Sequence, residues 1–185
     1  MSGHRGRGLL VAIVGPSGVG KDTLIAALGK VRPDIIIARR VITRPADAGG
    51  EDHIAVTEAQ FDAQVAMGRY AFHWGAHRLR YAVPASVDAN LAAGKVVVFN
   101  GSRKALPQIA AAYPQLLVLM VSAPIEVLAT RLAARRRESA REIAARLKRA
   151  ELAAPPGTQI IVNDSTLDAA LAQIESAIDR ALEDV

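Results

Sequence analysis

Cysteine is absent from the 185-residue chain, which excludes a disulfide scaffold, a thiolate zinc site and a cysteine nucleophile. Aromatic residues are scarce: three Phe, one Trp and three Tyr, 4% of the total. A packed core must therefore be built from Ala, Val, Leu and Ile. No apolar run is long enough to span a bilayer. The N-terminus places His4, Arg5 and Arg7 ahead of an apolar stretch. It imitates a signal peptide only in outline, because the stretch runs into a glycine loop and lacks a cleavage-like site. A soluble, cytoplasmic protein is the expectation. Tandem repeats are missing, and so are low-complexity tracts apart from an alanine bias. The remaining composition is 51% hydrophobic and 22% charged, ordinary for one globular domain of this length. Its 23 basic and 18 acidic residues give a net charge of +5. Such a balance suits nucleic acid, a membrane surface or a polyanionic small molecule, so the placement of the charges must decide.

Short apolar runs bounded by glycine, proline or polar residues read as buried parallel strands: residues 9–14, 35–41, 96–99, 116–121 and 159–162. Ala- and Leu-rich stretches with helical spacing lie between them, at 22–31, 85–93, 103–112 and 166–182. The last carries Leu167, Leu171, Ile174, Ile178 and Leu182 on one face. Strands alternating with helices imply right-handed βαβ units, hence an α/β fold with a parallel sheet flanked by helices. Two regions break this rhythm. Residues 43–84 are polar and irregular, with a capping box at Thr57 and Gln60 that opens a short helix ending near Gly68. Residues 124–153 form two helical runs meeting in an arginine-dense stretch at 135–139.

The first predicted strand leads into Gly15, Pro16, Ser17, Gly18, Val19, Gly20, Lys21 and Asp22, with a predicted helix following. This is a complete GxxxxGK phosphate loop. Its glycines allow a tight turn that points successive N–H groups inward, and the helix N-terminus adds positive potential. Lys21 reaches the outer phosphates as a point charge. ATP is the expected ligand. The residue after the lysine is Asp22 rather than Ser or Thr, with Thr23 next. A carboxylate beside a triphosphate is repelled unless a cation intervenes, so Asp22 reads as a Mg²⁺ ligand with Thr23. The alternative is a first-turn acid that favours the helix dipole.

At this point the chain resembles the guanylate-kinase-like nucleoside monophosphate kinases over nearly its full length. The shared features are the phosphate loop, Thr43-Arg44-Pro45, Gly50-Glu51, Tyr81 and Ile161-Val162-Asn163-Asp164. Arg131, Arg135 and Arg146 match the spacing of that family's lid. The resemblance implies a single P-loop kinase domain with its core at 8–42, 85–130 and 154–185. It also implies a substrate-binding insertion at 43–84 and an Arg-rich lid at 131–153. The departures are as informative. Arg44 is followed by Pro45-Ala46-Asp47 rather than by a second substrate arginine. The carboxylate expected upstream of the tyrosine, as a reader of guanine, falls on Phe72 or His73. The strand-end acid is replaced within Val98-Phe99-Asn100-Gly101.

Four segments in order are similar to a narrower group, the ribose 1,5-bisphosphate phosphokinases of phosphonate metabolism, which make phosphoribosyl diphosphate (PRPP) from ATP. They are the loop ending in Lys21-Asp22, then Gly50-Glu51-Asp52-His53, then His73-Trp74 with His77, Leu79 and Tyr81, and last Asn100-Gly101-Ser102-Arg103. The resemblance implies Lys21, Arg135 and Arg146 as catalytic cations. It places residues 15–23 and Arg131 on ATP, while Asp22 and Thr23 stay the Mg²⁺ ligands read from the loop itself. Arg44, His53, His73, His77, Tyr81, Asn100 and Arg103 fall to a phosphorylated sugar. A guanylate or other nucleotide kinase, and a non-catalytic binding module of the same fold, are the alternatives. Neither nucleic acid nor a membrane is an expected partner, and oligomeric state stays open. A zinc site at His53, His73 and His77 is disfavoured by spacing. Trp74 reads equally as insertion core or ligand contact, and Asn163 and Asp164 read equally as adenine contacts or as a helix cap.

Overall fold

Strands with no polar face can only lie between two layers, and the first predicted strand meets that condition throughout. β1 (Leu10–Val14) is buried at every residue. The computed structural model describes residues 8–48, 51–134 and 156–184. In it β1 sits centrally in a five-stranded parallel sheet of order β2-β7-β1-β8-β9. The others are β2 (Ile36–Ile37), β7 (Val97–Asn100), β8 (Leu116–Ser122) and β9 (Gln159–Val162). Leu9, Val11 and Ile13 face one side, packing with Leu24 and Leu28 of helix α1 (Lys21–Val31) and Ile174 and Ile178 of α6 (Leu167–Glu183). Leu10, Ala12 and Val14 face the other, where Phe72, Phe99, Leu106 and Ile109 gather. Each fully buried aliphatic or aromatic side chain of this kind contributes about 1.5–3 kcal/mol.

Helix ends follow local chemistry. α6 starts after Thr166, whose hydroxyl accepts from Ala169 N–H at 3.2 Å. Leu171, Ile174 and Ile178 of its predicted apolar face are buried, but Leu167 and Leu182 at its two ends are exposed. α1 starts without a side-chain cap and stops at Arg32. The Arg32 guanidinium pairs with Asp34 at 2.8 Å and with Asp179 of α6 at 3.0 Å, tying the two helices together at the surface. The remaining helices are α3 (Ser86–Ala92), α4 (Leu106–Ala112) and α5 (Ile125–Ala134). No helix among the described residues is long and apolar enough to cross a membrane.

The expected single strand at 35–41 is divided. Ile36–Ile37 pairs with β7, whereas β3 (Val41–Ile42) belongs to a second sheet of order β4-β3-β6-β5. Ala38, Arg39 and Arg40 carry the chain across. On the crossing, Arg39 pairs with Asp52 at 2.6 Å and Arg40 pairs with Glu51.

Residues 43–84, expected to be irregular, supply most of that sheet. β4 (Ile54–Ala55) is followed by α2 (Glu58–Ala66), opened by the expected Thr57–Gln60 capping box and followed by Gly68 at φ 63°. β5 (Tyr70–Ala76) and β6 (Leu79–Pro84) then form an antiparallel hairpin. Its two-residue turn is His77-Arg78, with φ of 53° and 61°. Turns of this type normally carry Asn-Gly, and two non-glycine residues there cost roughly 1–2 kcal/mol each. The missing glycine is why the hairpin leaves no turn signal in the sequence.

Candidate active site

The C-terminal ends of β1 and β7 lie side by side, with Ile13 in register with Asn100 and Gly101 N–H bonded to Ile13 O at 2.9 Å. Ligands of open parallel sheets bind at such strand ends. Here the edge is formed by the glycine loop on one side and Asn100, Gly101 and Arg103 on the other.

The loop is held open by geometry only glycine accepts. Gly15 has φ 150°, and a Cβ there would lie 2.4 Å from Val121 O. Gly20 has φ 97°, and a Cβ would lie 2.8 Å from the amide nitrogen of Asn163. The middle of the loop is anchored by Val19, whose side chain is fully buried. Its carbonyl accepts from Asn163 Nδ2 at 2.8 Å and from Arg131 Nη1 at 3.4 Å. Asn163 is buried against the loop and does not cap the last helix, which Thr166 caps instead. Asp164 is exposed. Lys21 folds over the loop, its Nζ donating to Gly15 O at 2.8 Å and Pro16 O at 3.0 Å. Burial lowers its pKa to about 8; Arg40 and Arg103 push the same way, and Asp22 and Glu51 oppose them. A lysine so poised gains its full charge when an anion joins it.

Asp22 and Thr23 are exposed in the first turn of α1. The Asp22 carboxylate accepts from Asn100 Nδ2 at 2.8 Å, a bond that fixes its orientation. The same amide nitrogen lies 3.5 Å from Glu51 Oε2. Asn100 therefore bridges the phosphate loop to a second group of charges.

That second group centres on Arg40, a residue no motif singled out. It is buried, and Glu51 binds it twice: Nε donates to Oε2 at 3.0 Å, and Nη2 donates to Oε1. The guanidinium lies 4.9 Å from the ring centre of Tyr81 and 5.8 Å from that of Trp74. Arg44 lies beside them, with its Nε buried and without a hydrogen-bond partner among the described residues. Burial raises the Tyr81 pKa against the opposing pull of Arg40 and Arg44, and burial disfavours the charge of Arg103.

The three histidines expected together lie in three different settings. His53 belongs to the cluster but is spent inside it: Nε2 lies 3.1 Å from Arg44 O, and Nδ1 lies 3.0 Å from Glu51 O and 3.3 Å from Arg44 Nη2. Its ring braces Arg44. On β5, Phe72 is buried with Phe99 and Tyr113, and Trp74 stacks on Tyr81, while His73 between them points to the opposite face, edge-on to Phe61. His77 is exposed at the hairpin tip. Arg135, Arg146 and Gly50 lie outside the described residues. No sequence motif marks Arg40, while Glu51 stands in the sequence only as a motif member and Trp74 as insertion core or ligand contact. The one legible trace of Arg40 is the charged pair Arg39-Arg40, set into an otherwise apolar run.

A site with this construction can hold a polyphosphate at the loop and a second anion at Arg44 and Arg103, with Asn100 between them. The family model for guanylate kinase matches residues 7–181. A ribose 1,5-bisphosphate phosphokinase PhnN of Rhizobium etli is 49% identical over 149 residues, 79% of this chain and 76% of that protein. A bifunctional ribose 1,5-bisphosphokinase-thymidine phosphorylase of Cupriavidus necator is 44% identical over 92% of this chain. The chain spans only 29% of that longer protein. Among solved structures, a guanylate kinase from Anaplasma phagocytophilum superposes with a TM-score of 0.70 at 19% identity, covering 94% of this chain and 86% of that one. At that identity the likeness speaks for the fold alone.

Proposed function

Because the chain belongs to the guanylate kinase family, we propose that it is a phosphotransferase which moves the γ-phosphoryl group of ATP to the 1-phosphate of ribose 1,5-bisphosphate. The products are ADP and 5-phospho-α-D-ribose 1-diphosphate. The relative from Rhizobium etli, similar over most of both chains, carries that activity in its name. Within this chain the carrying observation is Phe72. The position where a guanylate kinase carries a carboxylate to read the base falls on Phe72 or His73; Phe72 is buried against Phe99 and Tyr113, and His73 points to the opposite face. A nucleobase acceptor finds no reader there, and a sugar phosphate needs none.

The acceptor oxygen belongs to a phosphate already ionised at neutral pH, so no general base is required. The bond from the γ-phosphorus to the β–γ bridging oxygen breaks, a bond to the acceptor oxygen forms, and ADP leaves. Catalysis then rests on alignment and charge neutralisation. In this reading the loop N–H groups and Lys21 hold the donor phosphates. Arg44 and Arg103 hold the acceptor, the buried Nε of Arg44 supplying a donor already stripped of water. Tyr81 borders them, and Arg135 and Arg146 complete the cationic cover. The exposed carboxylate of Asp22, oriented by the Asn100 amide, suits a hard cation bound mainly by phosphates and water, with Thr23 beside it. Mg²⁺ bound there would neutralise oxygens of the β- and γ-phosphates. ATP and sugar phosphates are intracellular, which assigns the protein to the cytoplasm. The experiment is ADP release, with ATP and Mg²⁺, over a panel of phosphorylated acceptors that includes ribose 1,5-bisphosphate, ribose 5-phosphate and GMP. Release with GMP alone would point to a nucleotide kinase, and release with none to a binding module.

A further inference from the structure

Trp74 and Tyr81 face each other across the β5–β6 hairpin, their ring centres 5.7 Å apart and their planes 9° from parallel. Two near-parallel rings beside a phosphate-transfer site form a surface on which any nucleobase can stack, because every base presents a π-face. In this protein that surface is covered. The distances from the Arg40 guanidinium to the two rings, 4.9 and 5.8 Å, and the 5.7 Å between the rings form a nearly equilateral triangle. Arg40 therefore lies against both rings rather than beyond one of them. We propose that Arg40, clamped by Glu51, closes the Trp74–Tyr81 pair to nucleobases and so restricts the acceptor to phosphorylated compounds without a base.

Three features make Arg40 a fixture rather than a passing occupant. Arg40 and Glu51 are both largely buried, with side-chain exposures of 9% and 15%. Moving the cation away would strand the carboxylate in a site poor in water. The backbone also commits it, since residue 40 is the last before β3 and lies on the crossing between the two sheets. Finally, Glu51 is tied toward the donor side through Asn100, which bonds Asp22. Glu51 uses two of the five N–H groups of the guanidinium fork, so the cover is a neutral ion pair that keeps further N–H donors. A planar guanidinium is suited to this place, because it stacks on rings as an ammonium does not.

The inference rests on the reading of the acceptor as a sugar phosphate and names the residue that enforces it. Its test does not depend on turnover. Trp74 is the sole tryptophan of the chain, so intrinsic fluorescence reports on the ring pair directly. Guanosine, which has no phosphate, is titrated with the donor site saturated by ADP. The proteins compared are the wild type, Arg40→Ala, Arg40→Lys and the charge-balanced Arg40→Ala/Glu51→Gln. The double variant removes the stranded carboxylate should Arg40→Ala fold poorly, and Arg40→Lys keeps the ion pair while removing the planar cover. The expected result is no quenching in the wild type, and quenching in the variants at guanosine concentrations at least tenfold lower than any that affect the wild type. Quenching of the wild type within twofold of the variants would overturn the inference, as would variants that stay as insensitive as the wild type. Should the wild type fail to use ribose 1,5-bisphosphate yet still exclude guanosine, the functional reading falls and the closure stands.

Discussion

The core beneath the glycine loop contains no aromatic side chain: Val11, Ile13, Val19, Leu24, Leu28 and Ile174 fill it. Across the same sheet the material changes. Five of the seven aromatic residues form one connected group, in which Phe72 meets Trp74, Phe99 and Tyr113, and Trp74 meets Tyr81. The phosphate loop is thus made of backbone turns on an aliphatic base, drawn from one stretch of chain, residues 15–23. The acceptor side is made of side chains from three separate parts of the sequence, joined by ion pairs and ring contacts. Phosphates are alike in every donor nucleotide and can be held by N–H groups common to all residues. An acceptor must be told from its competitors, which takes particular side chains in particular places.

The largest expected effect tests the donor side alone. Lys21→Ala should lower turnover by about two decades or more with every acceptor, since each decade is ~1.4 kcal/mol of lost transition-state stabilisation. Circular dichroism should show the fold intact. The same lysine gives a pH signature. With a pKa near 8 in the free protein, it loses its proton as pH rises above that value. Bound phosphate favours the charged form, so nucleotide binding there requires proton uptake. ATP affinity should therefore fall with rising pH above about 8, by up to tenfold per unit, and titration of Lys21→Ala should lack that slope.

Arg44→Ala should break only the other half. Loss of a charged hydrogen bond to phosphate is worth about 1.5–3 kcal/mol. The acceptor KM should thus rise by roughly one to two decades while the ATP KM stays within twofold. Equal changes in both would mean that the two halves are not separable. Asn163→Ala is the mirror experiment. It removes the 2.8 Å bond to Val19 O, worth about 1 kcal/mol, and should raise the ATP KM about fivefold with the acceptor KM unchanged.

The smallest effect sharpens the comparison at its margin. Thr57→Ala removes the capping box of α2 and should cost about 1 kcal/mol of stability by denaturant titration. Neither KM should move, because α2 lies behind Phe61, on the side of the second sheet where His73 points, opposite Trp74.

The same contrast explains what could be read in the sequence. The phosphate loop, the cap at Thr57 and most strands of the parallel sheet are local patterns that the structure has close to their expected places. The strand expected at 35–41 is divided, and the last helix is capped by Thr166 rather than by Asn163 or Asp164. Arg40 carries no local signal, since its partners Glu51, Trp74 and Tyr81 come together only when the hairpin folds over the crossing chain. The hairpin itself was hidden by a turn with His77 and Arg78 where glycine is usual. His53 reads as a substrate contact from the resemblance at Gly50-Glu51-Asp52-His53, and its two ring nitrogens lie within hydrogen-bond distance of the Glu51 and Arg44 carbonyls. Asn163 shows the same limit: its place in a motif was legible, whereas its bond to a loop carbonyl 144 residues away was not.

The central claim is that an aromatic, cation-covered acceptor side selects a phosphorylated sugar over a nucleotide. Its most direct test is the specificity constant of the wild-type protein for ribose 1,5-bisphosphate and for GMP, measured side by side with ATP and Mg²⁺. Leaving two guanine donors unpaired costs about 1–3 kcal/mol each, so the account predicts that the sugar bisphosphate is favoured by roughly two to four decades. A higher specificity constant for GMP would contradict it.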